Sequence, residues 1–186
     1  DPTSEDLLVL ARHDENKNLP AILRGMAQLQ RRWPQWRGVL RIVGRGGCHS
    51  TLLKRMHRQL PRPEQVQLID ALPQAQLLQH FRSSLALLSA STEEGFDYPV
   101  LEAKAEGIPT LISDIPVHRE FHHGSSLFFP VDDDGGAMAD HVIACLQDRS
   151  LWTQLSQAGF ALAQKLSVKA QVASIEDQFR QLCRTT

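Results

Sequence analysis

Short, mostly apolar runs alternate along this chain with longer stretches whose apolar positions fall three and four apart. Six such runs occupy residues 7–11, 39–43, 66–69, 85–89, 110–113 and 127–129. Runs that are apolar without alternation fit strands buried on both faces, as in a parallel sheet covered by helices. Ile22, Leu23, Met26, Leu29 and Trp33 recur at helical spacing. Pro20 suits the first turn of that helix, Asn18 is a candidate cap, and Pro34 ends the pattern. Leu52, Leu53, Met56 and Leu60 mark a second helix, closed by Pro61 and Pro63. Shorter helices are expected over 74–83 and 99–106, the latter stopped by Gly107. Three more are expected over 136–147, 151–165 and 168–183. The pattern predicts one α/β domain: a doubly wound parallel sheet of about six strands with helices on both faces. Such folds bind ligands at the carboxyl ends of their strands. The loops at that edge are 12–18, 44–50, 70–73, 91–99 and 114–119.

Composition narrows the class without naming a chemistry. The chain has 186 residues, 42% hydrophobic and 22% charged. That is one ordinary globular domain, with no apolar stretch approaching the ~20 residues that span a bilayer. Cys48, Cys145 and Cys183 are odd in number and far apart, which suggests a reducing compartment and a cytoplasmic location. The start, Asp1-Pro2-Thr3-Ser4, reads as a cut or a linker. The net charge of −1 hides an asymmetry: residues 1–62 hold twelve Lys/Arg against five Asp/Glu, and residues 63–186 hold eight against sixteen. Two solvated faces or an anion site on the basic side would each give this balance.

Three loops carry candidate chemistry. Lys17 stands just before a helix N-terminus, where the macrodipole favours anions. A bound anion would reverse that penalty, with Arg12 supplying a fork and Lys17 a point charge. A solvated lysine screened by Asp14 and Glu15 is the alternative. Gly44-Arg45-Gly46-Gly47 would let the backbone approach a ligand, or serve as a plain tight turn. It lacks the third glycine of the dinucleotide fingerprint. The stretch from Ser91 to Glu102 gathers acids and aromatics before a helix that Pro99 would open. Backbone amides there, at Tyr98, Val100 and Leu101, offer a phosphate seat. Glu94 and Glu102 could accept hydrogen bonds from sugar hydroxyls at the two ends of an extended ligand.

The segment Glu94-Gly95-Phe96-Asp97-Tyr98-Pro99-Val100-Leu101-Glu102-Ala103, then Gly107-Ile108-Pro109-Thr110 and Ser113 to Glu120, resembles the signature of retaining glycosyltransferases of family 4. Its centre is a Glu, seven residues and a second Glu. Arg12 with Lys17-Asn18, the Val43-Gly44-x-Gly46 turn, Asp132–Asp134 before a helix and the closing helices extend the match over nearly the whole chain. The resemblance implies the C-terminal, Rossmann-like half of a GT-B enzyme, with the N-terminal acceptor domain absent. It implies a nucleotide-diphosphate sugar as donor and an acceptor glycan or lipid-linked sugar held by that other domain. Arg12, Lys17 and Glu94 would be catalytic, the two cations facing the diphosphate and Glu94 the sugar hydroxyls. Gly44, Gly46, Leu72, Phe96, Asp97, Tyr98, Pro99, Val100 and Glu102 would line the donor site, with Glu102 on the ribose and residues 69–73 beside the base. No metal, cofactor or nucleic acid is implied, and membrane contact only for a full-length enzyme. The family usually has Gly-Leu where this chain has Asp97-Tyr98, so a carboxylate and a phenol would border the sugar.

Other residues fit blander roles. His118, His122 and His123 suggest surface or capping positions rather than a metal site. Asp132, Asp133 and Asp134 suggest an acidic cap. Arg31 to Arg37 mixes basic and aromatic residues, with Trp33 as partial core. An isolated domain of this kind would bind donor and transfer poorly. A GT-B-fold nucleotide-sugar epimerase and a non-catalytic binding module are the competing functions.

Overall fold

The computed structural model describes residues 4–184, so Asp1, Pro2 and Thr3 of the expected linker lie outside it. The strands are β1 (Leu7–Leu10), β2 (Leu40–Val43), β3 (Val66–Ile69), β4 (Ala86–Ser89), β5 (Thr110–Ser113) and β6 (Leu127–Phe129). The helices are α1 (Leu19–Arg32), α2 (Ser50–Arg58), α3 (Gln74–Arg82), α4 (Tyr98–Ala105), α5 (Pro116–His122), α6 (Gly136–Gln147), α7 (Arg149–Lys165) and α8 (Val168–Arg184). All six strands pair parallel in the order β3-β2-β1-β4-β5-β6. This is the doubly wound sheet that the sequence predicts.

The unbroken apolar runs have a direct structural cause. Leu7 and Val9 of β1 face one hydrophobic cluster, which holds Ile22, Met26 and Leu29 of α1 and Met138 and Val142 of α6. Leu8, between them, faces a second cluster with Phe81 of α3 and Val100 and Ala103 of α4. In β4, Leu88 joins the first cluster and Leu87 the second, and both are essentially unexposed. The central strands β1 and β4 are thus buried on both faces, which leaves little room for polar residues at either parity, whereas the edge strand β3 exposes Gln67. Among the described residues, no helix is long and apolar enough to cross a membrane.

Three details differ from the sequence reading. The chain turns through α5, which was expected only as a loop segment. Trp33 is partial core as expected, but the larger anchor is Trp36, fully buried with Nε1 donating to the Glu5 carbonyl at 2.9 Å. Asn18 sits at the α1 N-cap, yet it adopts the left-handed region (φ 43°) and its side chain makes no capping bond. The acidic cap is present: Asp133 accepts from the amide of Gly135 at 2.8 Å and Asp134 from that of Gly136 at 2.9 Å.

Candidate functional site

The strand order reverses direction between β1 and β4, and the crevice outside such a switch point is where open α/β sheets bind ligands. The loops leaving these two strands meet there. The Thr92 amide donates to the Asn16 carbonyl at 2.8 Å. Lys17 Nζ donates to Glu94 Oε1, and the side chains remain only 23% and 10% exposed. Ser91 Oγ donates to the same carboxylate oxygen at 2.6 Å. Lys17 is therefore partnered neither by Asp14 nor by Glu15; it crosses to the second loop, 77 residues away along the chain. Arg12 stays at the rim with its side chain 66% exposed, 3.3 Å from Asp14.

Asp97 opens α4 from the left-handed region, at φ 51°. Glycine is the low-cost residue in that conformation, which accounts for the family's Gly at this point. The carboxylate lines the small crevice at the ends of β1 and β4, together with Lys17, Ser89 and Ser91. It is buried, and its Oδ2 receives Ser89 Oγ at 2.6 Å and contacts His118 Nε2 at 3.1 Å. Burial by itself would raise the Asp97 carboxyl, but the bonds from His118 and Ser89 outweigh it and hold the group below the usual carboxylate range. The stability this contributes is present above pH 4 and lost as pH falls through the depressed value.

The remaining assigned positions divide by what their side chains touch. Phe96, Tyr98 and Glu102 line a cavity of about 630 Å³ between α4 and the α7–α8 turn. Phe96 packs edge-on against Tyr98 and Phe121, at 5.3 and 5.0 Å between ring centroids. Tyr98 is the most exposed large apolar side chain among the described residues. Glu102 also borders a second cavity of about 370 Å³, shared with Gln74, Leu77, Leu78 and Phe81 of α3 and its neighbours on α4. Burial raises the Glu102 carboxyl. Pro99 is the second residue of α4 rather than the first.

The Val100 side chain belongs to the second core cluster, and its amide donates to the Asp97 carbonyl at 3.1 Å. Leu72 packs against that same cluster. Gly44 makes a close approach, but to protein. A Cβ there would overlap the Ala11 carbonyl at the end of β1, whereas at Gly46 it would meet only Ser50 Oγ at 3.2 Å. Gly44→Ala should accordingly destabilise the chain by about 2–3 kcal/mol through enforced backbone displacement, while Gly46→Ala should cost far less. Urea denaturation of both variants checks this, and equal midpoints would refute it.

The histidines correct the sequence reading. His118 and His122 are fully buried, and only His123 lies at the surface. Both buried rings sit on α5, which meets the 91–97 loop through His118 on Asp97 and Phe121 on Phe96. Ser89, Ser91, Ser113 and His118 were not singled out as site residues. A signal existed for the serines, since β4 and β5 each end an apolar run on a serine just where the ligand face begins. No group of three or more potential metal ligands occurs among the described residues.

The model of the family described as glycosyl transferases group 1 matches residues 1–162. This chain belongs to that family. O-antigen chain mannosyltransferase RfbU of Salmonella typhimurium (strain LT2) is 37% identical over 54 residues, 29% of this chain and 15% of that protein. Among solved structures, the pneumococcal O-GlcNAc transferase GtfA, in complex with UDP and GlcNAc, superposes with a TM-score of 0.79 at 19% identity. That match covers 96% of this chain but 36% of GtfA. The catalytic domain of cholesterol-α-glucosyltransferase from Helicobacter pylori gives 0.73 at 18% identity, covering 88% of this chain and 100% of that one. The chain thus spans about a third of GtfA and a much smaller share of RfbU. At these identities the two structures show the shared Rossmann-like fold.

Proposed function

We propose that this chain is the donor-binding domain of a retaining, family 4 type hexosyltransferase, taking a nucleotide-diphosphate sugar. The observation that carries it is the Lys17–Glu94 pair at the switch point between β1 and β4. In the free protein each charge neutralises the other. A donor would separate their tasks: its diphosphate against Lys17 and Arg12, its sugar hydroxyls against Glu94, and its ribose against Glu102. A cation already fixed beside the leaving diphosphate stabilises the negative charge that grows there during transfer. The UDP and GlcNAc bound by GtfA, and the mannosyl transfer in the name of RfbU, support a hexose donor. The acceptor, a glycan or lipid-linked sugar, would be held by a further domain, and the enzyme would act in the cytoplasm, at a membrane surface where the acceptor is a lipid.

Calorimetric and thermal-shift titrations with UDP, GDP, ADP and their hexose conjugates test this reading. At least one should bind saturably. At about 100 times its Kd it should stabilise the protein by ~2.7 kcal/mol, a rise in melting temperature of roughly 5–10 °C. A folded protein that binds none of them refutes the proposal.

A further inference from the structure

The loop and helix start that would receive the donor are held from behind by a polar chain with no assigned role. Lys17 meets Glu94, and Ser91 Oγ donates to that same carboxylate. The Ser91 carbonyl accepts from Ser113 Oγ at 2.6 Å. His118 Nδ1 lies 2.9 Å from the Ser113 carbonyl and 3.1 Å from its hydroxyl. On its other side, His118 Nε2 reaches Asp97 Oδ2, which also takes the Ser89 hydroxyl. The chain links β4, the 91–97 loop, the start of α4, β5 and α5.

Proton counting assigns the ring. A carbonyl oxygen only accepts, so Nδ1 carries a proton toward the Ser113 carbonyl. The Ser113 hydroxyl has already donated its one proton to the Ser91 carbonyl, so it too can only accept from Nδ1. Asp97 Oδ2 collects the Ser89 proton and stands in the field of Lys17, which favours its ionised form. An ionised carboxylate on Nε2 calls for a second ring proton. The other groups near this pair are His122, whose ring centroid lies 6.0 Å from that of His118, and buried Lys104 beyond it.

We propose that Asp97 and His118 form a buried carboxylate–imidazolium pair whose task is to position the 91–97 loop and the first turn of α4 against the donor's phosphates. It rests on the donor-site reading above and assigns Asp97 and His118 as positioning residues, His118 acting through Asp97. The pair gives a reason for the acid at a left-handed position. Glycine would supply the backbone angle alone, whereas Asp97 supplies the angle together with two anchors, one on β4 and one on α5. Preorganised amides and a fixed Glu94 lose less freedom when ligand binds.

The test combines a spectroscopic count with a binding measurement on the 186-residue chain. Nitrogen-15 histidine spectra should show protons on both ring nitrogens of His118 in the wild type, and on Nδ1 alone in Asp97→Asn. Asp97→Asn and Asp97→Gly, the second free of backbone strain, should each weaken binding of UDP, GDP or ADP, whichever the wild type prefers, by about tenfold. Both variants should remain folded by circular dichroism. A wild-type His118 with one ring proton overturns the pair. Unchanged affinity in folded Asp97→Asn and Asp97→Gly overturns its positioning role. If the wild type binds none of the three nucleotides, the donor-site reading and with it the positioning role fail, and the ring-proton count still decides whether the pair exists.

Discussion

Lys104→Met should stabilise this protein at neutral pH and flatten its stability–pH curve. Lys104 lies on α4, wholly buried, with Nζ donating to Ser125 Oγ at 2.6 Å. Its stem is covered by α7, where a Cβ on Gly159 would come within 3.0 Å of Lys104 Cγ. Burial drives the ammonium down to about 7 from its ordinary 10.5. A depressed lysine means that the unfolded chain binds the extra proton between those two values. Stability from this group therefore rises with pH from about 7 toward 10.5, and its penalty is fully present below 7. Methionine fills similar space without the charge. It leaves no orphaned hydroxyl either, because Ser125 Oγ itself donates to the His122 carbonyl at 3.0 Å. The gain should be about 2–3 kcal/mol at pH 6–7, or roughly 5–10 °C in melting temperature. It should shrink as pH approaches 9. Thermal denaturation of both proteins across that range is the check. A variant less stable than wild type at pH 7 would mean that the ammonium has partners strong enough to offset its burial.

Lys17→Ala should weaken nucleotide-diphosphate binding by about 10- to 100-fold, the range expected for losing one charge-assisted contact to phosphate. It should also cost some stability, because Glu94 is nearly buried and would keep only the Ser91 hydroxyl. Glu94→Gln should behave differently. The amide keeps its shape beside Ser91 but loses the carboxylate that would take sugar hydroxyls. Affinity for the bare diphosphate should stay within about threefold of wild type, while the preference for the sugar conjugate over the diphosphate disappears. Because the two side chains touch, their effects should not add, and the Lys17→Ala/Glu94→Gln double variant should show a coupling of about 1 kcal/mol or more. Calorimetry on the four proteins measures all three quantities. Strictly additive losses would show that the pair does not act as a unit.

The sheet was legible because burial on both faces leaves a strong mark: Leu7, Leu8 and Val9 cannot be read as a half-exposed strand. The loops at the carboxyl ends of the strands followed from the same pattern, since alternating strands and helices fix where the loops fall. What the sequence concealed lies between elements. Lys104 in Glu-Ala-Lys-Ala carries no mark of burial; α7 covers it from 45 residues or more further along the chain. α5 has seven residues, too few to establish a helical period, and the inward turn of its histidines depends on where β5 and α4 stand. Asp97 was legible as a departure from the family's glycine but not in its direction. The motif placed it in the loop after β4, and its bonds to Ser89 and His118 follow from where β4 and α5 stand. Gly44 was legible as a site of close approach, and the partner proved to be the Ala11 carbonyl.

The central claim is that the loops after β1 and β4 form a nucleotide-diphosphate site. Amide chemical-shift mapping during titration with UDP, GDP and ADP tests it most directly. Saturable shifts confined to residues 12–18, 44–46 and 91–102, abolished in Lys17→Ala, are the predicted result. Saturable shifts centred on the opposite end of the sheet, or no shifts with any of the three nucleotides, would contradict it.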